Sequence, residues 1–241
     1  MTGATTLEAL LAEASVHPAV HDLRPDYIAL LVAADGLPGG PSDEASDACL
    51  REAEAEAVAR LAGAAPEHRP HVALWRDAYR AFVAKPQRTR NSLEALLRRV
   101  PDGLPRINRL TDFYNAVSVL HEVPVGGEDL GRYVGPVRLI RGGGMEPFET
   151  TADGEPTVEH PEPGEVVWTD DAGVTCRRWN WRQCTRTQLN AGTTRALFIV
   201  DALGPDALAM ATDAGDDLER QLRALDPAVE TARRLIAAPR A

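Results

Sequence analysis

The sequence lacks the long apolar run that a membrane-spanning helix needs, because no stretch approaches about 20 consecutive apolar residues. Its first residues are acidic and amphipathic, without the basic region or the cleavage site of a signal peptide. We therefore expect a cytoplasmic protein with no membrane partner. The 241 residues are enough to bury a sizeable hydrophobic core.

Cysteine is scarce, and the histidines form no metal-binding pattern. Cys49, Cys176 and Cys184 cannot all pair, and their spacing fits no zinc site. The one close histidine pair, His17 and His21, has a proline between its members and lacks the carboxylate of a zincin helix. The sequence therefore predicts no metal and no cofactor. It also contains no strand–turn–helix nucleophile motif.

Lysine is almost absent, since Lys85 is the only lysine among 26 basic residues. The net charge of -10 argues against a protein that coats DNA or other nucleic acid without specificity, so we expect no DNA binding. Positive charge is nevertheless concentrated in residues 69–109 and 176–199, and the second segment holds five arginines and no acid. These two basic segments could meet as one patch for a polyanion, for which arginine is well suited. The alternative is two solvated faces whose arginines pair with acids.

Hydrophobic periodicity predicts an α+β fold: a single domain with a mixed or antiparallel sheet, flanked by N- and C-terminal helices. Helices are predicted near 5–16, 43–62, 71–83, 92–99, 110–120 and 206–225, with a last helix from Pro227 through Ile236. Strands are predicted near 27–33, 137–141, 166–169, 174–177 and 197–200. Ser92 is the expected cap of the fourth helix. Trp75, Tyr79 and Phe82 form an aromatic stripe that is typical of a core.

Two polar features stand out from this framework. Asp112 and Asn115 lie inside an apolar helix, where a buried polar side chain needs a partner. They could belong to a site or to a structural hydrogen-bond network. The glycines at 142–144 lack the Lys-Ser/Thr of a phosphate-binding loop, but they could bring backbone N–H groups close to a ligand.

Two stretches carry a resemblance to a known family. The segment RINRLTDFYNAVSVLHEVPVGGEDL, at 106–130, resembles the RPINNxxDxTNYxxxxxxxPxHAFDL stretch of the B3/B4 module in the β subunit of bacterial phenylalanyl-tRNA synthetase. The later block WNWRQCTRTQL…TTRALFIVDAL, after PGEVVWTD, is similar to free-standing B3/B4-domain proteins. The resemblance covers about 100–205. We therefore expect a B3/B4-like core there, a mainly helical part at 1–99 packed on it, and C-terminal helices at 206–241.

The resemblance implies a pocket that, in the synthetase, hydrolyses tyrosine wrongly esterified to tRNA. Asn115 falls on an asparagine that lines this editing pocket. The family's histidine falls on Gly126, and the next two residues fall on Gly127 and Glu128. No counterpart is found for the glutamate that recognises the tyrosine hydroxyl, so tyrosine is not expected as the substrate.

These features lead to one main hypothesis and one alternative. The main hypothesis is a trans-acting aminoacyl-tRNA deacylase whose partner is tRNA or aminoacyl-tRNA, and the alternative is a non-catalytic module that binds tRNA or an amino acid. Under the main hypothesis Asn108, Asp112 and Asn115 form the polar catalytic site. The substrate contacts are Gly126, Asp129, Gly143, Gly144, Trp179 and Asn180, with Trp179 or Trp181 stacked on the terminal adenine. The phosphate contacts are Arg177, Arg178, Arg182 and Arg186.

Overall fold

The computed structural model describes residues 6–82 and 84–239 and confirms the α+β fold. The described helices are α1 Leu7–Glu13, α2 Pro18–Leu23, α3 Glu44–Leu61, α4 Pro70–Ala81, α5 Ser92–Arg99, α6 Arg109–Leu120 and α7 Ala207–Leu225. The described strands are β1 Ser15–Val16, β2 Ile28–Asp35, β3 Val125–Asp129, β4 Arg138–Arg141, β5 Phe148–Ala152, β6 Glu155–Glu159, β7 Val166–Asp170, β8 Gly173–Arg177, β9 Arg182–Gln183, β10 Arg195–Ala202 and β11 Glu230–Ala237. No helix among these residues is long and apolar enough to cross a membrane.

Two sheets organise the described chain. The central sheet has the order β11-β2-β10-β3 and is antiparallel throughout. The second sheet has the order β1-β4-β7-β8-β9 and is mixed, because β1 runs parallel to β4. Strands β5 and β6 form a separate hairpin.

The main core lies between the two sheets. Leu31 and Ile199 of the central sheet and Trp168 of the second sheet belong to one buried cluster, which also contains the aromatic stripe of α4. The opposite face of the central sheet is covered by α6 and α7. Because both faces are covered, β2 and β10 are apolar along almost their whole length.

The C-terminal segment corrects one prediction. Residues 230–237 form an edge strand rather than the expected helix from Pro227 through Ile236. All eight residues of β11 pair with the buried strand β2. Without this pairing, the backbone N–H and C=O groups along one edge of β2 would lack partners, which is costly inside a core.

The central sheet also joins the three predicted segments. It takes β2 from 1–99, β3 and β10 from 100–205, and β11 from 206–241. The boundaries at 99 and 205 stay predictions, but the segments that they separate share one sheet.

Helix caps set the position of the two helices beside the core. The amide oxygen of Asn91, rather than Ser92, accepts the backbone N–H of Glu94 and caps α5. Asn108 caps α6 by accepting the N–H of Thr111 at 3.0 Å. Residues 100–108, between α5 and α6, pass the edge of the core, where a pocket opens.

Candidate functional site

A pocket of about 270 Å³ opens between the two sheets, beside α5 and α6. Leu96 and Ile107 line it on the helical side, and Trp168 and Cys176 line it from the second sheet. Its polar lining includes Ser92, Arg99, Thr111, Tyr114, Asn115, Glu128, Asn180, Arg182, Gln183 and Asp201.

The register of the central sheet directs two acids into this pocket. On β3 and β10, Gly126 pairs with Ile199 and Glu128 pairs with Leu197. Since alternate residues of a strand share a face, Gly126, Glu128 and Asp201 lie on the face that carries Leu197 and Ile199. That face is the one directed towards the second sheet.

Glu128 is an acid with neutral partners only. Its side chain is 1% exposed, and its Oε2 accepts hydrogen bonds from the hydroxyls of Tyr133 and Thr187, the latter at 3.0 Å. Burial raises the pKa of Glu128 to about 7, against the opposing effect of the Tyr133, Thr187 and Thr175 hydroxyls. Both hydrogen bonds that Glu128 accepts from described residues end on Oε2.

Asp201 has a similar environment at the end of β10. It is 2% exposed and accepts hydrogen bonds from the Tyr27 hydroxyl at 2.6 Å and the Asn180 amide at 3.3 Å. The Asn180 oxygen accepts a bond from Tyr79, which fixes the orientation of the amide. Burial raises the pKa of Asp201 to about 7, and the nearby charge of Glu128 adds to this effect. Neither acid forms an ion pair within the described part of the chain.

Asn115 is the predicted site residue that the structure places best. It is 7% exposed, lines the pocket from α6, and its side-chain amide makes no hydrogen bond with a described residue. Gly126 lies on the pocket-facing side of β3. The Gln183 side chain passes over Gly126 and donates to the Gly127 carbonyl at 2.8 Å. A Cβ at position 126 would lie 3.4 Å from the Gln183 amide nitrogen.

Three of the predicted polar residues hold the structure together outside the pocket lining. Asn108 caps α6 and donates to the Leu189 carbonyl. Asp112 accepts the Ile107 N–H at 2.9 Å and the Ser46 hydroxyl at 3.1 Å. Asp129 accepts the Gly131 N–H and the Thr193 hydroxyl, both at 2.8 Å.

The glycines at 143 and 144 do not offer free donors. Their N–H groups are bound to the carboxylate of Glu146, at 2.8 and 3.0 Å. These glycines do not line the pocket. Their backbone therefore serves a local turn.

The four predicted phosphate-binding arginines all meet acids. Arg177 is 5% exposed and binds both carboxylate oxygens of Glu165, at 3.0 and 2.8 Å. Arg186 binds both oxygens of Asp170 at 2.8 Å. Arg178 approaches Glu165 at 3.7 Å, and Arg182 approaches Glu159 at 2.8 Å. Of the four, only Arg182 lines the pocket.

Trp179 and Trp181, the two candidates for stacking on the adenine, lie in a turn and have different environments. Arg178 and Trp179 have φ values of 48° and 67°, so the chain turns sharply after β8. Trp179 is 0% exposed and packs edge-on against Tyr27 and Trp75, which excludes it from stacking on a nucleotide base. Trp181 is half-buried beside the pocket, beneath the guanidinium groups of Arg178 and Arg182.

The two basic segments meet at the pocket. The Ser92 N–H donates to the Asn180 carbonyl at 3.1 Å, and Arg178 donates to Thr89. Arg99, at the end of α5, is exposed, lines the pocket mouth and forms no ion pair or hydrogen bond with the described residues. Sequence reasoning did not single out Arg99.

Sequence reasoning also missed the two acids. Glu128 lies in the sequence VGGED, whose paired glycines suggest a turn rather than a strand. Asp201 directly follows the apolar run Ala196–Val200. An acid that continues a buried strand is a signal that could have identified it.

Comparison with known proteins gives one family. The family model of the B3/4 domain matches residues 74–238. Among solved structures, an N-terminal fragment of the phenylalanyl-tRNA synthetase β-subunit from Pyrococcus horikoshii is similar, with a TM-score of 0.41 and 12% sequence identity over 86% of this chain. The chain spans 48% of that fragment, and a likeness at this level says nothing about individual residues. No curated protein matches the sequence.

Proposed function

Because this chain belongs to the B3/4 domain family, we propose that it is an aminoacyl-tRNA deacylase that acts in trans on a mischarged tRNA. The resemblance to the synthetase editing module implies this reaction. Water attacks the ester carbonyl carbon, the bond to the ribose oxygen breaks, and a free amino acid and a ribose hydroxyl result. The ester is already activated, so the pocket needs only to orient it and to stabilise the developing oxyanion.

The observation that carries the proposal is the free amide of Asn115 in the pocket. Its Nδ2 is a donor without a partner among the described residues, and it suits the ester oxygen on which negative charge develops. One such donor contributes roughly 2.7–4 kcal/mol to the stabilisation of the transition state. Gly126 lines the pocket on β3, where the Gln183 amide covers it.

The pocket mouth supports binding of the tRNA end. Arg99 is an exposed cation there, and Arg182, which is paired with Glu159, also belongs to the lining. We assign both to phosphate oxygens of the acceptor end, and we assign the half-buried Trp181 to the terminal adenine. The proposed contacts therefore keep Arg182 and Trp181 from the set expected from sequence, add Arg99, and leave out Arg177 and Arg186, which bind buried carboxylates.

The test is deacylation of a panel of mischarged tRNAs, one amino acid at a time, by purified protein at catalytic concentration. We expect multiple turnovers on one or a few amino acids. Asn115→Ala should lower the rate at least tenfold while leaving the melting temperature unchanged, because the amide bonds to no described residue. Asn190→Ala, an exposed asparagine outside the pocket, is the matched control.

A second candidate, a binding module without catalysis, is favoured by one observation. Gly126 stands where the related editing module has its histidine, and Gln183 spans that position instead. The same panel separates the two functions. Binding of charged tRNA without release of any amino acid would exclude the deacylase and leave the binding module.

A further inference from the structure

Glu128 and Asp201 are the two buried acids that line the pocket. Of the other buried acids, Glu94, Glu165 and Asp170 each meet an arginine at 2.8 Å, whereas Asp112 and Asp129 each accept a backbone N–H and a hydroxyl outside the lining. Glu128 and Asp201 meet only hydroxyl and amide groups. Both carboxylates line the same pocket, and neither forms an ion pair with the described residues.

The neutral partners leave room for a ligand. Tyr133 and Thr187 both bind Oε2 of Glu128, and Glu128 itself lines the pocket. Tyr27 and Asn180 hold Asp201 behind it, at the end of β10. Charge is a costly feature in a buried site unless it is paired. A cation that enters through the pocket would pair with the ionised form of these acids.

The positive and the negative side chains of the pocket lie at opposite ends. Arg99 and Arg182 lie at the mouth, and Glu128 and Asp201 lie at the floor. A complementary ligand is negative where it meets solvent and positive at its buried end. An aminoacylated nucleotide has this distribution, with phosphates at one end and an ammonium group at the other.

We propose that Glu128, supported by Asp201, binds a protonated primary amine of the ligand. This inference rests on the proposed function for the nucleotide part of the ligand, but not for the amine. The amine is either the α-amine of the esterified amino acid or an amine on its side chain. An ammonium group donates to a carboxylate oxygen of Glu128, and Asp201, which lies four residues further along the sheet on the same face, adds to the negative potential of the pocket floor.

Protonation supports this assignment. The pKa values of about 7 for both acids reflect burial without a cation, so a bound ammonium should lower each pKa and release protons near neutral pH. The other titratable groups around the two acids stay neutral there, because burial raises their pKa values above the ordinary range, and Asp170 is paired with Arg186. The neutral groups are Tyr27, Tyr79, Tyr114, Tyr133, Cys176 and Cys184.

The experiment is isothermal titration with three non-hydrolysable 3'-amido-3'-deoxyadenosine probes at pH 7.5. The alanyl probe carries an α-amine, the lactyl probe carries a hydroxyl in its place, and the 6-aminohexanoyl probe carries only a terminal amine. We expect the alanyl or the 6-aminohexanoyl probe to bind at least tenfold more tightly than the lactyl probe. The preferred amine identifies which of the two sources the pocket accepts.

Two variants test whether the preference for the amine depends on Glu128. Glu128→Gln should abolish the preference for the amine, whereas Glu149→Gln, which removes the same charge on β5 outside the pocket, should keep it. Titration of the unmodified protein at pH 7 in phosphate and in Tris provides a measurement that needs no variant. Its heat should depend on the buffer, because binding of the amine releases protons.

Equal affinity for the three probes, no binding of any probe at millimolar concentration, or a preference that survives in Glu128→Gln would overturn the inference. Its failure is distinguishable from that of the proposed function. Turnover of mischarged tRNA without an amine preference would overturn the inference alone. An amine preference without turnover would leave it standing and exclude the deacylase.

Discussion

The arginine-rich segment 177–186 and the pocket floor show opposite relations between charge and partners. In the segment, Arg177 and Arg186 each bind a buried carboxylate through two hydrogen bonds. At the floor, Glu128 and Asp201 are contacted by neutral groups only. The segment is conspicuous in the sequence and the floor is not, yet it is the floor acids that line the pocket and form no ion pair with the described residues.

The physical consequence of this difference concerns stability. A buried ion pair with both partners present carries no net charge. Removing one partner is costly, because it leaves the other charge buried and unpaired. A buried acid without a cation lowers stability whenever it is ionised. We therefore expect a substitution that removes a charge to destabilise the protein when it lies in the segment 177–186. The same kind of substitution at the pocket floor should stabilise it.

The largest expected effect is in the segment. Arg177→Met leaves Glu165, which is almost completely buried, without its bidentate partner, so the free energy of unfolding should fall by about 3–5 kcal/mol. Urea denaturation measures this change. The double variant Arg177→Met/Glu165→Gln should recover part of the loss.

The control for this prediction is Arg138→Met, which breaks the exposed pair with Asp171. Exposed pairs contribute about 0–1 kcal/mol, so its effect should be small. If Arg177→Met cost no more than Arg138→Met, Arg177 would not be a structural residue, and its sequence-based assignment to phosphate binding would regain support.

The second largest expected effect is a gain in the free energy of unfolding, and it depends on pH. Because the pKa of Glu128 is raised to about 7 in the folded protein from an ordinary value near 4.5, the folded state binds more protons between these pH values. Stability therefore falls as pH rises through this window and levels off above it. Glu128→Gln lacks this loss, so its advantage in unfolding free energy should grow from near zero at pH 4.5 to about 3 kcal/mol at pH 8.

Urea denaturation of both proteins at pH 5 and pH 8 checks this difference. Glutamine can still accept the Tyr133 and Thr187 hydroxyls through its carbonyl oxygen. Equal stability differences at the two pH values would mean that Glu128 is not protonated by burial, and the contrast between floor and segment would weaken.

The smallest expected effect is on tRNA binding at the pocket mouth. Arg99→Ala should reduce by about one the slope of log affinity for tRNA against log salt concentration, because one phosphate contact is lost. Arg220→Ala, an exposed arginine on α7 across the central sheet, should leave the slope unchanged. Filter binding at several salt concentrations measures both. Identical slopes for the two variants would remove Arg99 from the tRNA contacts.

Local patterns predicted much of the framework, since they report which face of an element is buried. The aromatic stripe of α4 and the apolar strand β10 are found as expected. Strand β3 was missed because its two glycines lack the side chains that mark a strand. Its place depends on pairing with β10, which is remote in sequence.

The site was only partly predictable for the same reason. Asn115 was identified because it interrupts an apolar helix, a local signal. The pairing of Arg177 with Glu165 depends on the fold, and so does the proximity of Glu128 to Asp201. Charge counted along the chain therefore could not show that Arg177 and Arg186 are paired with buried acids, and the unpaired side chain of Arg99 became visible only in the structure.

The most direct test of this account is a nuclear magnetic resonance titration of isotope-labelled protein with the preferred amine probe carrying a 5'-phosphate. We predict the largest shifts at Glu128, Asp201 and the side-chain amide of Asn180, with smaller shifts at Arg99. Shifts that concentrate on Arg186 and the β5–β6 hairpin, with the pocket floor unchanged, would contradict the account.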